Sequence, residues 1–139
     1  MDKEGYLLLQ DDKYVFTFVS VGKNGKIIKA IIFQNIEPMV FNLVLADYNP
    51  ISHLFDDFSV SNNNDISKVM ATVFKAIVFF LNSQPQASIY VEGNTQQKNI
   101  LYNRIFKNYY SIISAKYNVK GQNEFDVEEY IVGKNYKSF

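Results

Sequence analysis

The sequence predicts an α+β fold: a single, mostly antiparallel sheet of five to seven strands with two principal helices, in the order ββββαβαβ. Three observations carry this reading. Residues 14–21 alternate as Tyr-Val-Phe-Thr-Phe-Val-Ser-Val and run into Gly22-Lys-Asn-Gly-Lys26, where Asn24-Gly25 suits a type I′ hairpin turn. The connections among the first four strands are too short for parallel crossovers. From Ile66 onward the apolar residues switch to helical spacing.

Both faces of residues 14–21 are aromatic, β-branched or apolar, which predicts a strand covered on both sides. Ile27–Ile36 is the return strand, ended by Glu37-Pro38 because proline has no N–H to give to a ladder. Met39–Tyr48 reads as the third strand, with Phe41, Leu43 and Leu45 on one face; Asn49-Pro50 turns the chain, and His53–Val60 forms the fourth. A helix over Ile66–Asn82, capped by Asn64 or Asp65, turns Ile66, Val69, Met70, Val73, Ile77, Phe80 and Leu81 inward. Its wet stripe is narrow: Lys68, Thr72, Lys75 and Asn82, with Phe79 among them. Pro85 stops this helix, and Ala87–Glu92 is a further strand. The second helix runs from about Gln96 to Tyr117, lined inside by Leu101, Ile105, Tyr109 and Ile112. Phe125–Val132 supplies one or two final strands. With no linker, repeat or low-complexity tract, residues 1–139 read as one domain.

A chain of 139 residues that is 47% hydrophobic can bury a real core. Its aromatics are 12 Phe and 10 Tyr, with no Trp. Zero net charge argues against non-specific binding to nucleic acid or an anionic membrane. The absence of cysteine excludes disulfides, thiolate metal sites and cysteine nucleophiles, and His53 alone makes no metal-binding cluster. No metal site is expected. The first residues lack the basic-then-apolar order of a secretion signal. The longest apolar run, Ala76–Leu81, is far shorter than the roughly 18–20 residues of a membrane span. A soluble, cytoplasmic protein is the expectation.

Asp47, Asp56, Asp57 and Glu92 are carboxylates near strand ends, where a general base could sit. Adjacent Asp56 and Asp57 point to opposite faces of a strand and cannot share a substrate. Asp47, which ends an apolar strand beside Tyr48, is the one singled out. His53 is expected to face solvent. Phe106, Tyr109, Tyr110 and Tyr117 exceed what one helix face can bury, and Lys98, Arg104, Lys107 and Lys116 lie among them. Such an aromatic-basic surface could stack bases or anchor a protein partner. Phe79, if the Tyr136 and Phe139 tail leaves it bare, adds an apolar patch of the kind that meets another chain. A homodimer is expected, with Phe79, Phe106, Tyr109 and Tyr110 as its interface.

The polar stretch Val60-Ser-Asn-Asn-Asn-Asp65 at a helix start, followed later by Leu101-Tyr102, resembles the second half of the acetyl-CoA-dependent N-acetyltransferase (GNAT-like) fold over about residues 39–110. In that family a Gly-rich loop at a helix N-terminus holds the pyrophosphate of coenzyme A. The resemblance implies that Asn62, Asn63, Asn64 and Asp65 contact acetyl-CoA, that Tyr102 is the acid for the departing thiolate, and that Asp47 is a candidate base. Here the loop has no glycine, and Asp65 puts a negative charge where the phosphates would lie. A second resemblance covers nearly the whole chain and is to a family of small uncharacterised bacterial proteins. It rests on Tyr14–Ser20, Gly22–Lys29, Phe41-Asn-Leu43, Ala46-Asp-Tyr48, Asp56-Asp57, Val60–Asn63, Lys68–Val73 and Leu101-Tyr-Asn-Arg104. The expected function is a binding or regulatory module without catalysis or cofactor, acting through a protein partner or its own copy. The alternative is an acyl-CoA-dependent N-acyltransferase with a degenerate phosphate loop and acetyl-CoA as cofactor.

Overall fold

The computed structural model describes residues 5–56 and 63–139. Asp57, Asn62 and the end of the expected fourth strand lie outside the described residues. The chain forms two compact units, Met1–Ile89 and Tyr90–Phe139.

The first unit is built on an antiparallel sheet of β1 (Leu9–Asp12), β2 (Val15–Gly22), β3 (Gly25–Glu37), β4 (Val40–Asn49) and β5 (Leu54–Asp56), paired in chain order. Helix α1 (Ile66–Ser83) follows, then β6 (Ser88–Tyr90), which pairs with β4; the Ser88 N–H donates to the Met39 carbonyl at 2.8 Å. The fold is α+β with a mostly antiparallel sheet, as the sequence predicts. Strand β1 is an addition. Its Leu-Gln-Asp-Asp is exposed throughout and carries no apolar alternation to announce it.

Register places the core. Phe16 lies opposite Ile31 and Ile31 opposite Leu45, while Phe33 lies opposite Leu43, so these side chains share one face with Phe18 and Phe41. Helix α1 covers that face. Phe80 stacks on Phe33 with ring centres 4.2 Å apart and meets Phe41 edge-on at 5.0 Å. By length and composition alone α1 is apolar enough to cross a membrane, with a mean hydropathy of 1.4 even with Lys68 and Lys75 included; here ten of its 18 residues are buried.

The hairpin between β2 and β3 corrects the expected turn. Lys23 and Asn24 form the loop, and of the hairpin residues only Gly25 takes a left-handed φ, at 86°. That is not type I′, which needs two such residues at the centre of the loop. The cause lies far along the chain. Asn63 is 2% exposed. Its Oδ1 accepts from the Asn24 N–H at 2.6 Å, and its Nδ2 donates to the Gly25 carbonyl and to Ser20 Oγ, both at 3.0 Å.

The middle of the α1 stripe expected to be wet is covered by the segment around Tyr6, while Lys68 and Asn82 are exposed as expected. Thr72 is buried, its Oγ1 accepting from the Tyr6 N–H at 2.7 Å, and Lys75 Nζ donates to the Tyr6 carbonyl at 2.8 Å. Phe79, one turn further, stays half exposed, with its ring edge on Phe16 at 5.6 Å.

Asp65 holds the N-cap position, but its side chain makes no capping bond. Its Oδ2 instead accepts from the Tyr6 hydroxyl and Ser20 Oγ, each at 2.6 Å. Burial first, and then the Asp65 carboxylate, push the Tyr6 hydroxyl above its ordinary pKa and keep it a donor. Asn caps a helix as well as Asp does, so a capping role alone would make Asp65→Asn neutral. The observed bonds change the expectation. A neutral amide oxygen accepts them more weakly than a carboxylate, so Asp65→Asn should cost about 1 kcal/mol of stability. Urea titration checks this, and an unchanged midpoint would refute it.

The second unit comprises α2 (Gln96–Ile113) and a separate two-stranded antiparallel sheet of β7 (Lys120–Gln122) and β8 (Val127–Glu129). The final strands therefore do not extend the main sheet. Thr95 caps α2, its hydroxyl accepting from the Lys98 N–H at 3.1 Å. Val91 and Phe139 exchange backbone hydrogen bonds of 2.9 and 2.8 Å. Phe106 stacks on Phe139 at 4.2 Å, and Tyr130 packs against Phe106, Tyr110 and Tyr136. This cluster re-aims the helix: Lys98, Leu101, Tyr102, Ile105, Phe106 and Ile113 are buried, while Ile112, expected inside, is exposed.

Candidate functional site

Gln96, Asn99, Ile100, Asn103, Arg104 and Lys107 recur every three or four residues and so share one side of α2. Facing them are Tyr130, Gly133, Lys134 and Asn135, and the two walls enclose a cleft of about 550 Å³. The second wall is pinned. Asn103 Oδ1 accepts from the Tyr136 N–H at 2.8 Å, and Asn103 Nδ2 donates to the Tyr136 carbonyl at 2.9 Å. The Tyr136 hydroxyl donates to Glu128 Oε2 at 2.6 Å and accepts from the Ile131 N–H at 3.2 Å. Gly133, at φ 88°, supplies the left-handed bend that a side chain would strain.

The charges in this cleft are unevenly satisfied. Lys134 is paired with Glu128 at 2.5 Å, and its ammonium holds that carboxyl below the usual range. Arg104 and Lys107 are exposed and have no carboxylate partner among the described residues. Two buried polar atoms on the same walls also lack a hydrogen-bond partner: the Tyr130 hydroxyl, on a residue 5% exposed, and Asn99 Oδ1. Burial pushes the Tyr130 hydroxyl up; the Gly133 backbone N–H pulls it the other way but forms no hydrogen bond of ordinary geometry. The hydroxyl therefore keeps its proton. Buried groups left in this state cost free energy.

The sequence profile of a family of unknown function, DUF6934, matches residues 2–139. The chain belongs to this family. No curated protein and no solved structure matches this DUF6934 member.

A second concavity of the DUF6934 chain, about 630 Å³, lies at the strand ends beside Asp47, Tyr48, Phe55 and Asp56. Register sets Lys29 opposite Asp47 and Asp47 opposite Asp56. Lys29 Nζ lies 2.6 Å from Asp47 Oδ1, and both side chains are largely buried. Asp47 thus has its carboxylate engaged in an ion pair with Lys29. His53 is exposed, as expected, and its Nδ1 lies 2.9 Å from the Tyr48 hydroxyl. Among the described residues no group of three or more His, Cys, Asp or Glu could hold a metal ion.

The other singled-out residues fall as follows. Tyr102 is 2% exposed and lines neither concavity. Asn63 and Asp65 spend their side chains on the hairpin, Ser20 and Tyr6, while Asn64 sits exposed at φ 61°. Phe106 is buried and Tyr110 packs on Tyr130 at 5.2 Å, so rings expected on a surface line the unit's interior. Tyr109 is half-buried. Sequence reasoning finds Arg104 and Lys107 but misses Asn99, Asn103 and Tyr130. The run of amides at 96, 99 and 103 on one helix face is the signal that points to the first two.

Proposed function

We propose that this protein is a non-catalytic binding module whose basic cleft on α2 takes an anionic group. The observation that carries it is the meeting, on one cleft, of two exposed cations that have no carboxylate partner among the described residues. Arg104 offers a planar fork suited to phosphate or carboxylate oxygens, and Lys107 a point charge. Around them lie amides, which bind and orient, an isoleucine, and Lys134, whose ammonium is paired with Glu128. The GNAT-like reading draws less from the geometry, because Asn63 and Asp65 are committed to the fold and Tyr102 is buried.

Calorimetric titration of the full chain with pyrophosphate at low salt tests the reading. Wild type should bind saturably, and Arg104→Glu with Lys107→Glu should weaken binding by more than about tenfold, or 1.4 kcal/mol. Both side chains are exposed, so melting should be unaltered. Equal affinity in the two proteins, or no binding by either, would overturn it.

A further inference from the structure

The second unit carries two surfaces of opposite character. Helix α2 brings Lys98, Arg104 and Lys107 and no acid. The hairpin of β7 and β8 is the reverse, with Glu124, Asp126, Glu128 and Glu129 against the single cation Lys120. Its tip, Glu124-Phe125-Asp126, is exposed throughout. Phe125 is 94% exposed, and the Asn123 N–H donates to the Asp126 carbonyl at 3.0 Å, closing the turn that holds the ring out. Asp126 has no salt-bridge partner among the described residues. Glu124 has an exposed pair with Lys137 at 3.1 Å, which solvent screens.

The cleft presents the matching set. Ile100 stands half-exposed on its wall, and Arg104 and Lys107 follow about 6 and 11 Å further along the helix axis. A ring laid on Ile100 carries its two flanking carboxylates toward those cations, since neighbouring Cα atoms are about 3.8 Å apart and the acidic side chains add their own reach. The tip does not line the cleft of its own chain, whose second wall is Tyr130, Gly133, Lys134 and Asn135. A second copy can bring tip and cleft together. With two-fold symmetry each copy gives a tip and receives one, so every contact is made twice.

Resting on the anion-binding reading, we infer that the anionic group is carried by a second copy of this chain, docked tip into cleft. Phe125 of one copy lies on Ile100 of the other, and Glu124 and Asp126 meet Arg104 and Lys107. The ring supplies burial at the centre of the contact, and the charges choose the partner and fix the register. The dimer expected from the sequence then forms through the hairpin tip and α2, not through Phe79, Phe106, Tyr109 and Tyr110.

Sedimentation velocity of the full chain at low salt, from micromolar to millimolar, tests this. Wild type should dimerise. Phe125→Ser should raise the dissociation constant about tenfold or more and leave the circular dichroism unchanged, because the ring is too exposed to support the fold. Arg104→Glu with Lys107→Glu, and separately Glu124→Lys with Asp126→Lys, should each be monomeric, because tip and cleft then share one sign. Mixed together, these two variants should associate again, since the tip of each now opposes the cleft of the other. If a charge-reversed chain fails to fold, Phe125→Ser decides. A wild-type monomer at every concentration would overturn the inference, and pyrophosphate binding by that monomer would leave the anion site standing. A dimer untouched by these variants, or charge-reversed chains that fold and stay apart when mixed, would also overturn it. Neither a dimer nor pyrophosphate binding would remove both readings.

Discussion

Phe80→Ala should lower the unfolding free energy by about 3–5 kcal/mol, the range for removing a buried aromatic ring. Phe80 is 1% exposed and touches β3 and β4 together, stacked on Phe33 and edge-on to Phe41. Tyr14 also lies against it, at 6.2 Å. The void would be lined by rings held on separate strands, which cannot close it by turning about one bond. Phe79→Ala, next door, removes a half-exposed ring that packs edge-on against Phe16 and should cost far less. Urea denaturation of the two variants gives the comparison; near-equal losses would mean that α1 does not seat on the sheet through Phe80.

Gly22→Ala is expected to cost about 3 kcal/mol, the upper end of ordinary overpacking. A Cβ at Gly22 would lie 1.8 Å from the Asn63 carbonyl oxygen, which is backbone and cannot swing aside. To admit it, the chain around Asn63 must move, and with it the bonds Asn63 makes to Asn24, Gly25 and Ser20. Gly25 is the control. Nothing lies within 4 Å of a Cβ there, so Gly25→Ala pays only for a left-handed φ, about 1–2 kcal/mol. A smaller loss at Gly22 than at Gly25 would mean that the hairpin and Asn63 are not in contact.

These residues show what the sequence discloses and what it withholds. Both helix starts, Ile66 and Gln96, are legible because apolar periodicity over 18 residues and a cap or break at each end agree. The three long strands and their order are legible for the same reason: alternation plus short connections leaves one arrangement. The hairpin's turn type is not, because Asn63 decides it from nearly forty residues away. The middle of the α1 stripe is misread for a related reason. Thr72 and Lys75 look wet in any helical projection, and only the path of the N-terminal segment places Tyr6 over them. The candidate site divides along the same line. Its cations sit on one helix, four or fewer residues apart, and can be read directly; Tyr130 joins them only through the bend at Gly133 and the clamp of Asn103 on Tyr136.

That clamp, together with the paired bonds between Val91 and Phe139, bears on when the second unit can form during synthesis. Its first and last residues are hydrogen-bonded to each other, and Phe139 lies in the ring cluster with Phe106 and Tyr130. Helix α2 can coil as it emerges, but its cleft wall needs Tyr136 and its cluster needs Phe139. While Tyr136 and Phe139 are still within the ribosomal tunnel, α2 is displayed with both missing. Strands β1 to β5, whose neighbours pair in chain order, have no such wait.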